Sequence, residues 1–303
     1  MSIVICQLPA AGLGNQLFPL VKAAVFAELN GLPMVVAGYN QFRIGPYLRG
    51  EKIKRNYNGY FTFQKGWIAG QVSRLAMMKY NRLEAVNEPP LERLGPSSIT
   101  GKKFVFNSIP HWSDYFAGLK EHRELAISLL KSIIRENIVR QVDKNTHPSI
   151  GIHIRMGDFR KLQTGEDFSK VGAVRTPEDY FIDIISSIRR INGQELPVSV
   201  FTDGYRHEFK TLFDMPQVRM VEGNPDIVDM LLLGKSKLIV TSAGSTFSYW
   251  SGFLSDATVI MHPDHLHEPI RPDSVNRNYY EGPFLPSAPG SLLERNIKQL
   301  LYE

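Results

Sequence analysis

The stretch IVICQLPAAGLGNQLFPLVKAAV, residues 3–25, sets the reading of the chain. Residues 3–8 have the length and apolar content of a short buried strand, Gly12 and Gly14 break it, and from Gln16 onward Leu17, Leu20, Val21, Ala24 and Val25 recur at helical spacing. Strand, glycine turn and helix, in that order, open an α/β unit. A second strand is expected at residues 34–37, whereas residues 38–66, rich in Gly, Tyr, Asn and Arg, show no period and predict no element.

Farther along, Leu125, Leu129, Leu130, Ile133, Ile134 and Ile138 predict a helix over 121–140, and the turn formers DKNTHP at 143–148 then punctuate the chain. A domain junction near residue 146 follows, giving domains 1–145 and 146–303. Beyond it strand and helix patterns alternate: strands at 149–155, 197–202, 218–221, 237–241 and 257–261, with helices from Thr176-Pro177, Asn224-Pro225 and Ser245. Thr176 is the expected cap and Pro177 the first-turn residue of the helix carrying Tyr180, Phe181, Ile184, Ile185 and Ile188. Repeated β-α units imply parallel sheets covered by helices, hence two Rossmann-like domains. A proline-rich segment at 283–289 precedes a last helix at 291–301, expected to pack back on the first domain.

At 303 residues the chain suits one large or two ordinary domains. Its 43% apolar and 21% charged residues exclude intrinsic disorder, coiled coil and fibrous repeats. The 35 Lys and Arg against 30 Asp and Glu leave +5, an excess that favours anionic partners. No block of five like charges occurs, and the densest basic stretch, 51–55, contains Glu51, so nucleic acid is not indicated and a phosphorylated small molecule fits equally well. Cys6 is the single cysteine, which rules out an intramolecular disulfide and, inside an apolar run, reads as packing. No apolar run approaches a membrane span and no leader pattern opens the chain, so a cytoplasmic location is expected.

In open α/β sheets ligands bind at the carboxyl ends of strands, where four segments concentrate unusual residues. Gly12-Leu13-Gly14-Asn15-Gln16 could admit a phosphate to backbone N–H groups at a helix start; Leu17 excludes the dinucleotide fingerprint, and a tight turn is the bland alternative. His153-Ile154-Arg155-Met156-Gly157-Asp158 puts His153 and Arg155 on one strand face, and the Arg155 fork suits two phosphate oxygens unless it merely pairs with Asp158. Asp203, in Phe201-Thr202-Asp203-Gly204, could accept two donors from a guanine edge or simply mark a turn. Ser245 and Thr246, in the small-residue loop 241–250, combine hydroxyls with a helix N-terminus, or act as plain caps. HPDHLH at 262–267 has neither HExxH nor zinc-finger spacing, and no Asp-x-Asp occurs, so no metal is expected.

Together GLGNQLF (12–18), HIRMGDF (153–159), FTDG (201–204) and STFSYWSGFL (245–254) resemble the α1,2-fucosyltransferase family, with kinship to α1,6- and protein O-fucosyltransferases. The resemblance implies a GT-B-type fold of two Rossmann-like domains with parallel sheets facing a cleft. It also implies GDP-β-L-fucose as donor, inversion at the anomeric carbon, no metal and no cofactor. By the same resemblance Arg155 contacts the β-phosphate, His153 supports the nucleotide and Asp203 meets guanine. Gly12, Gly14, Asn15, Gln16, Ser245 and Thr246 would line the diphosphate. Asp158 is the first candidate base, with Glu166 and Asp167 behind it, and the first domain is the expected acceptor side. The acceptor would be an oligosaccharide or lipid-linked glycan, and a bacterial cytoplasmic enzyme, peripheral to the inner membrane face, is the implied setting. The chain departs from the α1,2 pattern at Met156, Pro19 and Tyr249. On the residues alone, a different nucleotide sugar, a non-catalytic sensor and an α/β interaction protein remain alternatives.

Overall fold

The computed structural model describes residues 2–38, 45–48, 50, 57, 59–63, 67–69, 73–265, 267–272, 279–285 and 290–301. The basic stretch 51–55, much of the aperiodic stretch 38–66 and residues 286–289 of the proline-rich segment lie outside the described residues. The chain divides into two compact units, Met1–Gly45 with Arg55–Val139, and Pro46–Lys54 with Arg140–Glu303. The division falls within the helix Glu136–Asp143, ahead of the turn formers at 143–148.

The first unit is a parallel sheet of β1 (Ile3–Gln7), β2 (Met34–Ala37), β3 (Trp67–Ala69), β4 (Glu84–Asn87) and β5 (Lys102–Phe106) in the order β3-β2-β1-β5-β4. All strand pairs in it are parallel. The helix Leu13–Asn30 buries Phe18 and Phe26 among Phe104, Phe106 and Phe116, and it ends where Gly31 turns left-handed. This helix begins at Leu13 rather than at Gln16, so Gly14, Asn15 and Gln16 are its first turn. The expected helix over 121–140 is two helices, Arg123–Ile133 and Glu136–Asp143. Between them Ile134 is extended and bridges to Phe61, while the Arg135 amide bonds the Tyr60 carbonyl, a sheet-like link that helical φ/ψ would forbid.

In the second unit β6 (Ile150–Ile154), β7 (Val198–Thr202), β8 (Val218–Met220), β9 (Leu238–Val240), β10 (Thr258–Met261) and β11 (Glu281–Pro283) form a second all-parallel sheet, ordered β11-β10-β9-β6-β7-β8. The chain winds from β6 outward to β8, returns to β9 beside β6, and winds the other way to β11. Winding therefore reverses between β6 and β9, and loops leaving their carboxyl ends diverge there. Ile150, Ile152, Ile154, Val198, Val200, Leu238, Val240 and Ile260 are buried in near-continuous apolar runs, as strands covered on both faces must be.

Two details correct the sequence reading. Thr176 does not cap the helix Glu178–Asn192; Pro177 occupies the cap position without a side-chain bond. The last helix, Leu292–Lys298, is capped by Ser291 and buries Leu293 and Ile297 in the second unit's own core, where Asn192 bonds the Ile297 and Leu300 carbonyls. It thus belongs to the second unit. No helix among the described residues is long and apolar enough to cross a membrane.

Candidate active site

The β6–β7 register places Ile154 beside Thr202, so one step on, where both strands end, Arg155 and Asp203 stand side by side. Arg155 is held by two carboxylates. Its Nη1 donates to Oδ2 of Asp203, and its Nη2 donates to Oδ1 of Asp158 at 2.5 Å. The other Asp203 oxygen, Oδ1, accepts the Met156 amide at 2.7 Å. Asp203 is 8% exposed and Asp158 41%, so the first is a fixed support and the second sits at the solvent edge. Gly157 permits this packing: a Cβ there would stand 2.4 Å from Asp203 Oδ2. A guanine edge would have to compete for Asp203 with Arg155 and the Met156 amide.

Across the winding reversal, the loop after β9 is stitched to the end of β6. Ser242, fully buried, donates its hydroxyl to the His153 carbonyl at 2.9 Å and accepts the Arg155 amide at 2.8 Å. The Ala243 amide donates to the Thr176 hydroxyl at 3.0 Å, which is what Thr176 does instead of capping. Gly244 adopts φ +66°, a left-handed turn that favours glycine, and its amide donates to the Tyr249 hydroxyl. Ser245 holds the cap position of the helix Thr246–Phe253, yet its hydroxyl lies 3.3 Å from His153 Nδ1 and makes no cap bond.

His153 is buried and stacks on Phe247 with ring centroids 4.6 Å apart. Burial, and then the neighbouring Arg155 charge, push it down to about 3. The imidazole is therefore neutral near pH 7 and supplies hydrogen bonding without charge. A fixed cation, a neutral ring and a helix N-terminus converge on one strand-end crevice, an arrangement suited to an anion. Beside it a cavity of about 540 Å³ is lined by Met156, Arg175, Thr176, His207, Glu208 and Phe209.

His153, Arg155, Asp158, Asp203, Ser245 and Thr246 are thus gathered in the second unit, while Gly12, Gly14, Asn15 and Gln16 lie in the first. Gly12 caps the helix Leu13–Asn30 with φ −58°, so no left-handed turn requires a glycine there. Gln16 is buried and donates to the Pro9 carbonyl at 3.0 Å, bracing the loop, and Asn15 Oδ1 is buried without a partner. Glu166 and Asp167 are weak candidates for a base. The Arg160 fork holds Glu166 below the usual carboxylate range, and the Ser169 hydroxyl and Lys170 do the same for Asp167. Among the described residues no three metal-ligating side chains gather. His265 bonds the Phe168 carbonyl, and His262, pushed down to about 4 by burial first, accepts the Asp264 amide. Burial raises the Cys6 thiol, which has no accessible surface. Sequence reasoning missed Ser242 and Phe247 as site residues, because a loop hydroxyl and an aromatic in the first turn of an apolar helix carry no spacing signal.

Comparison with known proteins places these elements. Residues 91–272 match the profile of the family described as "Glycosyl transferase family 11". No curated protein sequence matches the chain. Among solved structures, fucosyltransferase NodZ from Bradyrhizobium is similar with a TM-score of 0.53 at 16% identity, over 87% of this chain and 96% of that one. NodZ α1,6-fucosyltransferase soaked with GDP-fucose gives 0.51 at 15% identity, over 86% and 94%. POFUT1 in complex with GDP gives 0.52 at 13% identity, over 86% and 98%. At such identities the likeness is one of fold, the pair of Rossmann-like units of GT-B glycosyltransferases. The profile spans the site loops after β6, β7 and β9 and well over half of the residues: this chain belongs to glycosyl transferase family 11.

Proposed function

We propose that the chain is an inverting fucosyltransferase, moving L-fucose from GDP-β-L-fucose to a glycan hydroxyl, a galactoside in α1,2 linkage, without a metal ion. The observation that carries this reading is Arg155, fixed by Asp203 at the winding reversal of a glycosyltransferase-family sheet. The GDP and GDP-fucose complexes of the similar folds support the donor class. The acceptor is an oligosaccharide or lipid-linked glycan, and the setting a bacterial cytoplasm.

In this mechanism the anomeric C–O bond to GDP breaks while the acceptor oxygen attacks the opposite face of an oxocarbenium-like centre. Negative charge grows on the departing β-phosphate oxygen. Arg155, already oriented by Asp203, stabilises that charge with little reorganisation, which is how preorganised donors lower a barrier. His153 supports the nucleotide as a neutral ring, and Ser245 and Thr246 line the diphosphate. The incoming phosphate takes the place of Asp158 on Arg155, since Asp158 is the exposed one of the two carboxylates. Released from the guanidinium, the Asp158 carboxylate accepts the proton of the acceptor hydroxyl.

A donor panel tests this reading. Purified chain with GDP-fucose, GDP-mannose or UDP-galactose, with lactose as acceptor, is expected to consume GDP-fucose alone, equally with and without EDTA. Turnover of a UDP-sugar at the same rate overturns the donor assignment. Activity lost in EDTA and restored by manganese overturns metal independence, and GDP-fucose binding with no turnover marks a sensor.

A further inference from the structure

The helix Ser73–Lys79 in the first unit carries large apolar residues on its solvent side as well as on its core side. On its inward side Ser73 is buried, and Ala76 and Met77 pack on the cluster of Ile3, Ile5, Val35, Tyr80 and Val105. Its outward side carries two further large apolar residues. Leu75 and Met78, one turn apart, are each 67% exposed, where a helix bathed by water on that side would present polar groups. Lys79 and Arg82 are exposed beside them. Lys103 reaches the same place: its Nζ donates to the Asn81 carbonyl at 3.2 Å, and it shares its sheet face with Val105, against which the helix packs. Glu84, an acid close in sequence, stands in register with Lys102, on the sheet face opposite that of Lys103.

From this we infer that the helix Ser73–Lys79 docks the protein on an anionic phospholipid bilayer, with Leu75 and Met78 entering the headgroup–acyl boundary and Lys79, Arg82 and Lys103 meeting lipid phosphates. Apolar tips ringed by cations are what such a surface takes. Nucleic acid would answer the cations and leave Leu75 and Met78 without use. A second copy in a twofold contact would set like charges face to face. This inference is independent of the fucosyl reading, although an enzyme held at a bilayer is well placed for a lipid-linked acceptor.

Flotation with vesicles tests it on the full chain. Wild type is expected to float with phosphatidylcholine vesicles containing phosphatidylglycerol, not with phosphatidylcholine alone, and to be released at high salt as the Debye length shrinks. Leu75→Ser with Met78→Ser should lower partitioning at least tenfold. Lys79→Glu or Arg82→Glu should each lower it about fivefold or more. Calorimetry on every variant, with the transitions of both units kept at their wild-type temperatures, shows that the fold of the first unit persists. Wild type that fails to float with phosphatidylglycerol vesicles overturns the inference. So does flotation untouched by the Leu75/Met78 pair, which would mean bulk charge attraction, or untouched by the two cations.

Discussion

Arg155 is claimed by two carboxylates of unlike exposure, and this divides its roles experimentally. If Asp158 gives way to a diphosphate, Arg155→Lys should lower kcat and kcat/KM together by about 100-fold, because an ammonium keeps the charge and loses the fork. Asp158→Asn should lower kcat while leaving the melting point nearly unmoved, since an exposed ion pair contributes roughly 0–1 kcal/mol. If Arg155 and Asp158 only brace each other, both variants would melt lower and keep near-normal turnover; steady-state kinetics with circular dichroism decides. His153 yields a pH prediction. An unfolded chain protonates this imidazole below about 6.5, whereas the fold keeps it neutral down to about 3. The unfolded state then binds more protons across that interval, so stability is complete above pH 6.5 and falls with pH, by at most ~1.4 kcal/mol per unit. His262 titrates with the same sign, so the measurement is the difference between wild type and His153→Gln in melting temperature from pH 7 to 4. The variant should show the shallower decline, and parallel curves would mean His153 titrates in the fold. Alternation was enough to put His153 and Arg155 on one strand face. The Arg155–Asp203 contact was not legible, because it depends on the β6–β7 register across 48 residues of chain.

At the scale of elements, the Ser242 hydroxyl bridges the winding reversal just beyond the paired ends of β6 and β9. Ser242 bonds both the His153 carbonyl and the Arg155 amide, so Ser242→Ala leaves a part-buried N–H without its acceptor. The expected cost is ~2 kcal/mol, or roughly 4–8 °C in the transition of the unit carrying it, by calorimetry. Turnover should fall as well, since Arg155 loses its backbone anchor. A Tm within a degree of wild type would mean the loop holds without this bridge. The strands legible in advance were β1, β2 and β6 to β10; all but β8, which is partly exposed, are apolar runs that follow from burial on both faces. β4 escaped notice because its residues are mostly exposed and carry no pattern, and β11 because Gly282 and Pro283 contradict strand propensity in a three-residue segment. The break at Ile134 was invisible for a different reason: its apolar spacing stays helical while its backbone pairs with Phe61, a contact made from 73 residues away. Thr176 met every local requirement of a cap, and a tertiary acceptor role outweighed it.

The molecule as a whole consists of two parallel sheets, each with its own core, and a ligand held by one unit should raise that unit's transition. The division falls inside the helix Glu136–Asp143, a few residues ahead of the turn formers at 143–148, and helical apolar spacing carries no mark of it. GDP at a hundredfold excess over its dissociation constant should add ~2.7 kcal/mol, about 5–10 °C for a unit of this size, and UDP markedly less. The same scan distinguishes two roles for Asp203. If Asp203 reads guanine, it must leave Arg155 and the Met156 amide when the nucleotide arrives, and Asp203→Asn should bring the GDP and UDP shifts to a common small value. If Asp203 serves to hold Arg155, the base is read elsewhere. Asp203→Asn would then weaken the shifts from GDP and UDP by the same factor, because both share the diphosphate that Arg155 holds, and the difference between them would survive. The burial of Asp203, and its second bond to the Met156 amide, favour the holding role. A preserved GDP preference in Asp203→Asn with both shifts reduced is the expected outcome; collapse of the preference would return Asp203 to the base.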